Sequence, residues 1–245
     1  MPEFYPEIRE LKNNLREEYR AKRRALSAQE RARRDEAIAR CLLGSISYRS
    51  AKTVLLYAAT EEEIAPDAVA GRALADGKTV AYPRCIVADK KMVFHIVTDL
   101  QQLQTGSYGL SEPDANAPVY DFEALASRDL AIAVIPGVVF DRDGYRVGYG
   151  KGYYDSYFSE HPGLVRIGIA FDVQLTGELP PLCEPTDIRM DYVQTEYRSY
   201  AACDAMDYET LVAQISGSRR FGKAPGIVCS EAVCELLGRP KDDLR

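Results

Sequence analysis

From Glu7 to about Ala25 the apolar residues Ile8, Leu11, Leu15 and Tyr19 return at helical spacing among charged neighbours, which predicts an amphipathic helix with a basic polar face. Ser27-Ala28-Gln29-Glu30 then has the form of a capping box, and a second helix is expected from there through Leu43. The period changes at Thr53-Val54-Leu55-Leu56-Tyr57, a short β-branched and aliphatic run that reads as a strand. An acidic loop follows, then a helix starting near Pro66 and stopping at Gly77, then a strand at Thr79-Val80-Ala81-Tyr82. Proline at the helix start and glycine at its end frame a strand-helix-strand unit, whose natural geometry is a parallel pair with a right-handed crossover. Met92 to Val97, beyond the turn-like Asp89-Lys90-Lys91, is expected to pair with the second strand as a hairpin, which makes the sheet mixed. Leu130 to Val139 is almost continuously apolar and is broken by Pro136-Gly137, as a buried central strand running into a loop would be. A helix from about Gly150 to Ser159, a buried strand from Val165 to Phe171 and a weaker strand at Tyr192 to Thr195 complete the pattern. The expected class is α/β, an open mixed, mostly parallel sheet with flanking helices and a ligand crevice beyond the carboxyl ends of the parallel strands.

After Tyr200 the periodicity stops, and a boundary is placed there. Residues 201–245 are expected to form a linker and a short helical extension, with Tyr208 to Ile215 helix-like, and residues 206–245 are too few for a core of their own. The chain of 245 residues, with 46% hydrophobic and 28% charged, is of ordinary globular composition. Its longest apolar run, Leu130 to Phe140, is far short of the ~20 residues of a membrane-spanning helix, so no membrane partner is expected. The start, Met-Pro-Glu-Phe-Tyr-Pro-Glu, lacks the basic head and apolar stretch of a secretory signal, and the cytoplasm is the expected location.

Six cysteines without a repeated C-x-x-C spacing, and only His95 and His161, argue against a disulfide framework, a Cys/His zinc site and a histidine-dependent nucleophile. Any chemistry then rests on carboxylates, Lys, Arg, Tyr and backbone. The net charge of −6 offers nucleic acid no global attraction, and no nucleic-acid partner is expected. The charge is uneven: residues 1–40 carry 11 Lys and Arg against 8 Asp and Glu, so an anionic ligand would prefer that end.

The densest signal runs from Pro136 to Asp155 and contains Arg146-Val147-Gly148-Tyr149-Gly150-Lys151-Gly152-Tyr153-Tyr154-Asp155. Glycines at alternate positions let the backbone approach a ligand, and the amides opening the next helix favour an anion such as phosphate. Arg146 and Lys151 add positive charge, and Asp155 is placed to hold Mg²⁺ in a water-rich shell. A tight turn explains the glycines equally, since the spacing is neither the Rossmann nor the Walker pattern. Asp141-Arg142-Asp143-Gly144 has its glycine too early for a calcium loop and reads as a turn. Tyr157 and Phe158 read as core, and Tyr153 as the ring to stack on a ligand.

Together with Lys12-Asn13-Asn14-Leu15-Arg16, Tyr82-Pro83-Arg84 and Glu112-Pro113, this loop resembles the 5-formyltetrahydrofolate cyclo-ligase (methenyltetrahydrofolate synthetase) family over about residues 8–200. The resemblance implies a Rossmann-like fold, a catalytic domain over residues 1–200, and ATP- and Mg²⁺-dependent closure of 5-formyltetrahydrofolate to 5,10-methenyltetrahydrofolate with release of ADP and phosphate. By position it implies Lys12, Arg16, Arg146, Gly148, Gly150, Lys151, Gly152 and Tyr154 as ATP ligands. It implies Glu63, Tyr149, Gly150, Lys151, Gly152 and Tyr153 for the folate, Lys151, Arg146 and Tyr153 for catalysis, and Asp155 with Asp187 for the metal. Glu61, Glu62 and Glu63 are consecutive, and Ala65-Pro66 stand where the family usually has an acidic residue and threonine, so the assignment to Glu63 rests on alignment.

Phosphoryl transfer needs positioning and charge neutralisation more than a protein nucleophile, so the shortage of histidines is no obstacle. Lys12 and Arg16 lie at i and i+4, one helix face, within reach of one phosphate; a solvated basic face is the plainer alternative. The segment from Met206 through Pro240 resembles the opening of folylpolyglutamate synthase, but Val228-Cys229-Ser230 replace that family's usual Glu-Arg-Ile and its ATP loop is not reached, so no second activity is expected. A monomer is expected, with oligomers left open, and the competing reading is a non-catalytic folate- or nucleotide-binding regulatory protein. Lys151→Ala and Asp155→Ala are expected to abolish ATP-dependent turnover with circular dichroism unchanged, and Arg16→Ala to weaken nucleotide binding in an ATP titration; folded variants with undiminished rates would remove these residues from the site.

Overall fold

The computed structural model describes residues 6–126, 130–177, 179, 184 and 186–202. The expectations for the linker beyond Ala202, for the helix at 208–215 and for the segment resembling folylpolyglutamate synthase lie outside the described residues. The elements are α1 (Pro6–Arg24), α2 (Ala28–Gly44), α3 (Ile46–Ser50), β1 (Thr53–Leu55), α4 (Asp67–Ala75), β2 (Thr79–Ile86), β3 (Lys91–Val97), β4 (Gln104–Thr105), β5 (Ser111–Glu112) and α5 (Phe122–Ala126). They continue with β6 (Ala131–Ile135), β7 (Val139–Phe140), β8 (Arg146–Val147), α6 (Tyr153–Glu160), β9 (Val165–Ile169), β10 (Tyr192–Gln194) and β11 (Ser199–Ala201).

Seven strands form one sheet in the order β11-β10-β9-β6-β1-β2-β3. The five inner strands are parallel, with Val54 opposite Val80 on one side and Ile132 on the other, while β3 and β11 close the two edges antiparallel. The α/β class, the parallel pairing of β1 with β2 and the hairpin of β2 with β3 are as the pattern predicts. Every residue of β6 is buried because both faces of the sheet are covered. Ile132 and Val134 face Ile38 and Leu42 of α2 and Val69, Ala70 and Ala73 of α4, while Ala131, Ala133 and Ile135 join Tyr157 and Phe158 of α6.

Three local readings differ from the structure. The run Leu130 to Val139 divides into β6 and β7 around Pro136-Gly137, and β7 leaves the main sheet to pair with β8. α6 starts at Tyr153 instead of Gly150, because Gly150 (φ 84°) and Gly152 (φ 74°) adopt left-handed backbone that no helix continues through. Of the capping box at Ser27, the Ser27 hydroxyl accepts from the Glu30 amide, but the Glu30 carboxylate turns to Arg34 one turn on. The short α3, capped by Ser45, has too little periodicity to be legible in advance. Asp141, in the turn that superficially has calcium-loop character, is buried and accepts the amides of Asp143, Tyr145 and Leu179 at 2.9–3.0 Å, so it is a turn former.

α1 packs apart from the main layers. Its Tyr19 and Leu15 lie on Val138, Val139, Val147 and Leu179, which docks the basic helix onto the β7-β8 hairpin. α2 carries one electrostatic oddity, Asp35, whose Oδ1 is buried without a hydrogen-bond partner. Burial, with a smaller push from Asp67, raises its carboxyl from 3.8 to about 6 against the opposing Ala65 amide and Arg31. A folded-state pKa raised in this way favours the native state at low pH, and that contribution is lost as pH rises from about 4 through about 6. Asp35→Asn is therefore expected to remove that part of the slope in urea titrations between pH 4 and 8, and to be on the order of 1 kcal/mol more stable than wild type at pH 7 after allowance for solvent screening.

Candidate functional site

Leaving β1 the chain turns toward β2, and leaving β6 it turns toward β9, so the connections diverge between two adjacent strands. A crevice at the carboxyl ends of such a pair is a consequence of that topology. Here it is a cavity of about 1090 Å³, with Tyr57 and Ala58 following β1 and Pro136 following β6 on its wall.

The cavity brings together all the residues given an ATP, folate, catalytic or metal role from the sequence: Lys12 and Arg16 from α1, Glu63 from the acidic loop, residues of the glycine loop from Arg146 through Asp155, and Asp187. The Lys12 ammonium donates to Asp187 Oδ2 and Glu184 Oε2, both at 2.7 Å. Burial pulls its pKa down, but these two carboxylates outweigh burial and leave it above the ordinary 10.5. Arg16 Nε donates to the Gly148 carbonyl at 2.7 Å, and Nη1 to Asn13. Arg146 Nη2 donates to Asp155 Oδ1 at 2.8 Å, and the same oxygen accepts the Ile188 amide at 3.2 Å. Its guanidinium stands 5.7 Å from the ring centroid of Tyr154, a hydroxyl that burial pushes far above its usual pKa.

The glycines have a physical reason. A Cβ on Gly148 would lie 2.6 Å from Arg146 Nη1, and one on Gly150 would lie 3.1 Å from Arg16 Nη2. The loop is thus flattened to let two guanidinium groups lie against backbone. Gly152 caps α6 in left-handed geometry without a side-chain acceptor, so the first-turn amides are available to an anion. Lys151 stands 5.5 Å from the ring centroid of Tyr108, and the Tyr108 and Tyr153 hydroxyls are 3.0 Å apart.

Of the three consecutive glutamates, Glu63 lines the cavity, buried, with Oε2 accepting the Thr60 amide at 2.8 Å. Glu62 turns away to Arg20, Arg23 and Arg24, and the Glu61 carbonyl meets Arg31. Asp155 and Asp187 do not form a ready metal cluster: each is held by a cation, and among the described residues no group of three or more His, Cys, Asp or Glu is placed to hold a metal. Sequence reasoning did not single out Arg9, Cys85, Tyr108 or Glu184, which also line the cavity, and it quoted Glu112, another lining residue, only as part of the resemblance, without a role. Arg9 shares the basic face of Lys12 and could have been found from that spacing; Tyr108, at φ 57° in a turn far along the chain, carries no such signal.

A family model described as the 5-formyltetrahydrofolate cyclo-ligase family matches residues 8–196. The chain belongs to this family. Among relatives, it is 30% identical over 195 residues to the probable 5-formyltetrahydrofolate cyclo-ligase of Caenorhabditis elegans, covering 76% of this chain and 93% of that one. It is 27% identical over 197 residues to the 5-formyltetrahydrofolate cyclo-ligase of Mus musculus, covering 77% and 95%. The solved structure of Aquifex aeolicus 5,10-methenyltetrahydrofolate synthetase superposes with a TM-score of 0.66 at 28% identity, over 78% of this chain and 92% of that one. The matched residues 8–196 take in the strands β1 to β10.

Gly150→Ala tests the packing of this loop. Its methyl would press on Arg16 in a backbone conformation that alanine resists. ATP affinity is expected to fall about tenfold or more, measured by titration, with a stability loss of about 1–2 kcal/mol in urea unfolding.

Proposed function

We propose that this chain catalyses the ATP-dependent cyclisation of 5-formyltetrahydrofolate to 5,10-methenyltetrahydrofolate, releasing ADP and phosphate. Membership of the cyclo-ligase family supports the reaction, and one observation supports its location: a single cavity gathers Lys12, Arg16, Arg146 and Lys151 beside a buried carboxylate, Glu63, and several tyrosines. That combination suits a polyphosphate and a polar heterocycle held together.

The formyl oxygen on N5 attacks the γ-phosphorus as the bond to the ADP oxygen breaks. The N10 lone pair then attacks the formyl carbon, the carbon-oxygen bond breaks, phosphate leaves, and N10 gives up its proton. No protein nucleophile is needed. Lys12, Arg16, Arg146, Lys151 and the amides at the start of α6 orient the phosphates and stabilise the charge that develops on them. Glu63, Tyr149 and Tyr153 hold the pterin side.

Asp155 and Asp187 suit Mg²⁺ in this reading. Asp155 uses Oδ1 for Arg146 and Ile188, and Asp187 uses Oδ2 for Lys12 and the Glu184 amide, so one oxygen of each stands outside those bonds. One or two carboxylates plus substrate phosphates are what this ion ordinarily takes, and bound there it would neutralise phosphate charge.

Product absorbance is expected to appear only when ATP, Mg²⁺ and 5-formyltetrahydrofolate are all present, and to fall to background on chelation. Tight folate binding with no ATP-dependent product would instead favour a non-catalytic binding protein.

A further inference from the structure

Arg23, near the end of α1, is 2% exposed although it is an arginine. Its Nη2 donates to the Tyr149 hydroxyl at 2.9 Å and stands 3.5 Å from Glu62 Oε2, while its Nε is buried with no partner. Tyr149 is 42% exposed as a residue, yet its hydroxyl accepts from Arg23, and the Glu63 carboxylate stands with it on the cavity wall, its charge adding to burial in pushing the phenol up to about 12. A phenol has one proton. Because Arg23 can only donate, the Tyr149 proton is left for another acceptor, and Glu63 is the carboxylate that shares the cavity wall with it. The acidic loop bearing Glu63 and the glycine loop bearing Tyr149 are thus joined through a side chain of the helix that also carries Lys12 and Arg16.

Stability does not explain this burial. A buried ion pair is generally no better than well-packed apolar residues, and this one leaves a donor unmatched. We propose that Arg23 is a positioning residue for the folate side of the site, acting through Tyr149 to orient Glu63. The inference rests on the reading of Glu63 as the carboxylate that contacts the pterin. It gives α1 two separable duties: Lys12 and Arg16 face the phosphates, and Arg23, two turns beyond Arg16, sets the receptor for the heterocycle.

The test compares Arg23→Met, Tyr149→Phe and the double variant, each checked for thermal unfolding, with 5-formyltetrahydrofolate and ATP titrated separately by calorimetry. Either single substitution is expected to weaken folate binding about tenfold to a hundredfold, as loss of a charge-assisted hydrogen bond would, and to change ATP affinity by no more than about twofold. The double variant is expected to bind folate no worse than Tyr149→Phe alone, since both remove one relay. Unchanged folate affinity in folded Arg23→Met, additive losses, or equal losses of folate and ATP affinity with a lowered unfolding temperature would each overturn the proposal. If Arg23→Met does not fold, Tyr149→Phe decides: full folate affinity there breaks the relay. Glu63→Gln separates the two readings, because undiminished folate binding in that variant removes Glu63 from the site, whereas a loss there with none in Arg23→Met removes only the role of Arg23.

Discussion

Guanidinium groups are flat and can lie close against a backbone only where no Cβ intervenes, and this constraint organises the site. Arg16 comes from the first helix and Arg146 from the hairpin strand β8, more than a hundred residues later, yet both rest against the same loop at Gly150 and Gly148. The helix is held there by Tyr19 and Leu15 on the hairpin, and by the Arg16 bond to the Gly148 carbonyl. A side chain at either glycine would push a cation away from the position its partner defines. The alternate glycines therefore serve protein cations at least as directly as they serve a ligand.

Bringing Lys12, Arg16, Arg146 and Lys151 into one cavity is costly by itself, since like charges in a partly desolvated space repel. Asp187 and Glu184 hold Lys12, and Asp155 holds Arg146, so the cations are fixed in place before any anion arrives. Such preorganisation is where charge stabilisation in phosphoryl transfer comes from. The same carboxylates that brace the cations are those proposed for Mg²⁺, which lets one small set of side chains serve both signs of charge.

The sheet supplies the rigid frame. β1 and β6 are buried on both faces, and the divergence of their connections opens the crevice at their carboxyl ends. Loops that contribute side chains are consequently anchored to strands that cannot shift without exposing apolar surface on both sides. The acidic loop is bound to α1 through Glu62, which meets Arg23 and Arg24, and Arg23 reaches on to Tyr149 of the glycine loop.

Much of this was written locally. Helical spacing in α1, the β-branched run of β1, the Pro and Gly framing α4 and the apolar run of β6 determined the elements and hence the α/β class, because periodicity and turn chemistry act over a few residues. The glycine loop and the Lys12/Arg16 pair determined the candidate chemistry for the same reason. What the tertiary structure alone decided were pairings across long separations: Lys12 with Glu184 and Asp187, Arg16 with Gly148, and Tyr108 with Tyr153. It also put Glu63 on the cavity wall and neither of its two neighbours, because burial and the direction of the chain at Thr60 turn one of three identical side chains inward. Residue type and local spacing are properties of a segment, whereas burial and the choice of a distant partner exist only once the chain has closed on itself.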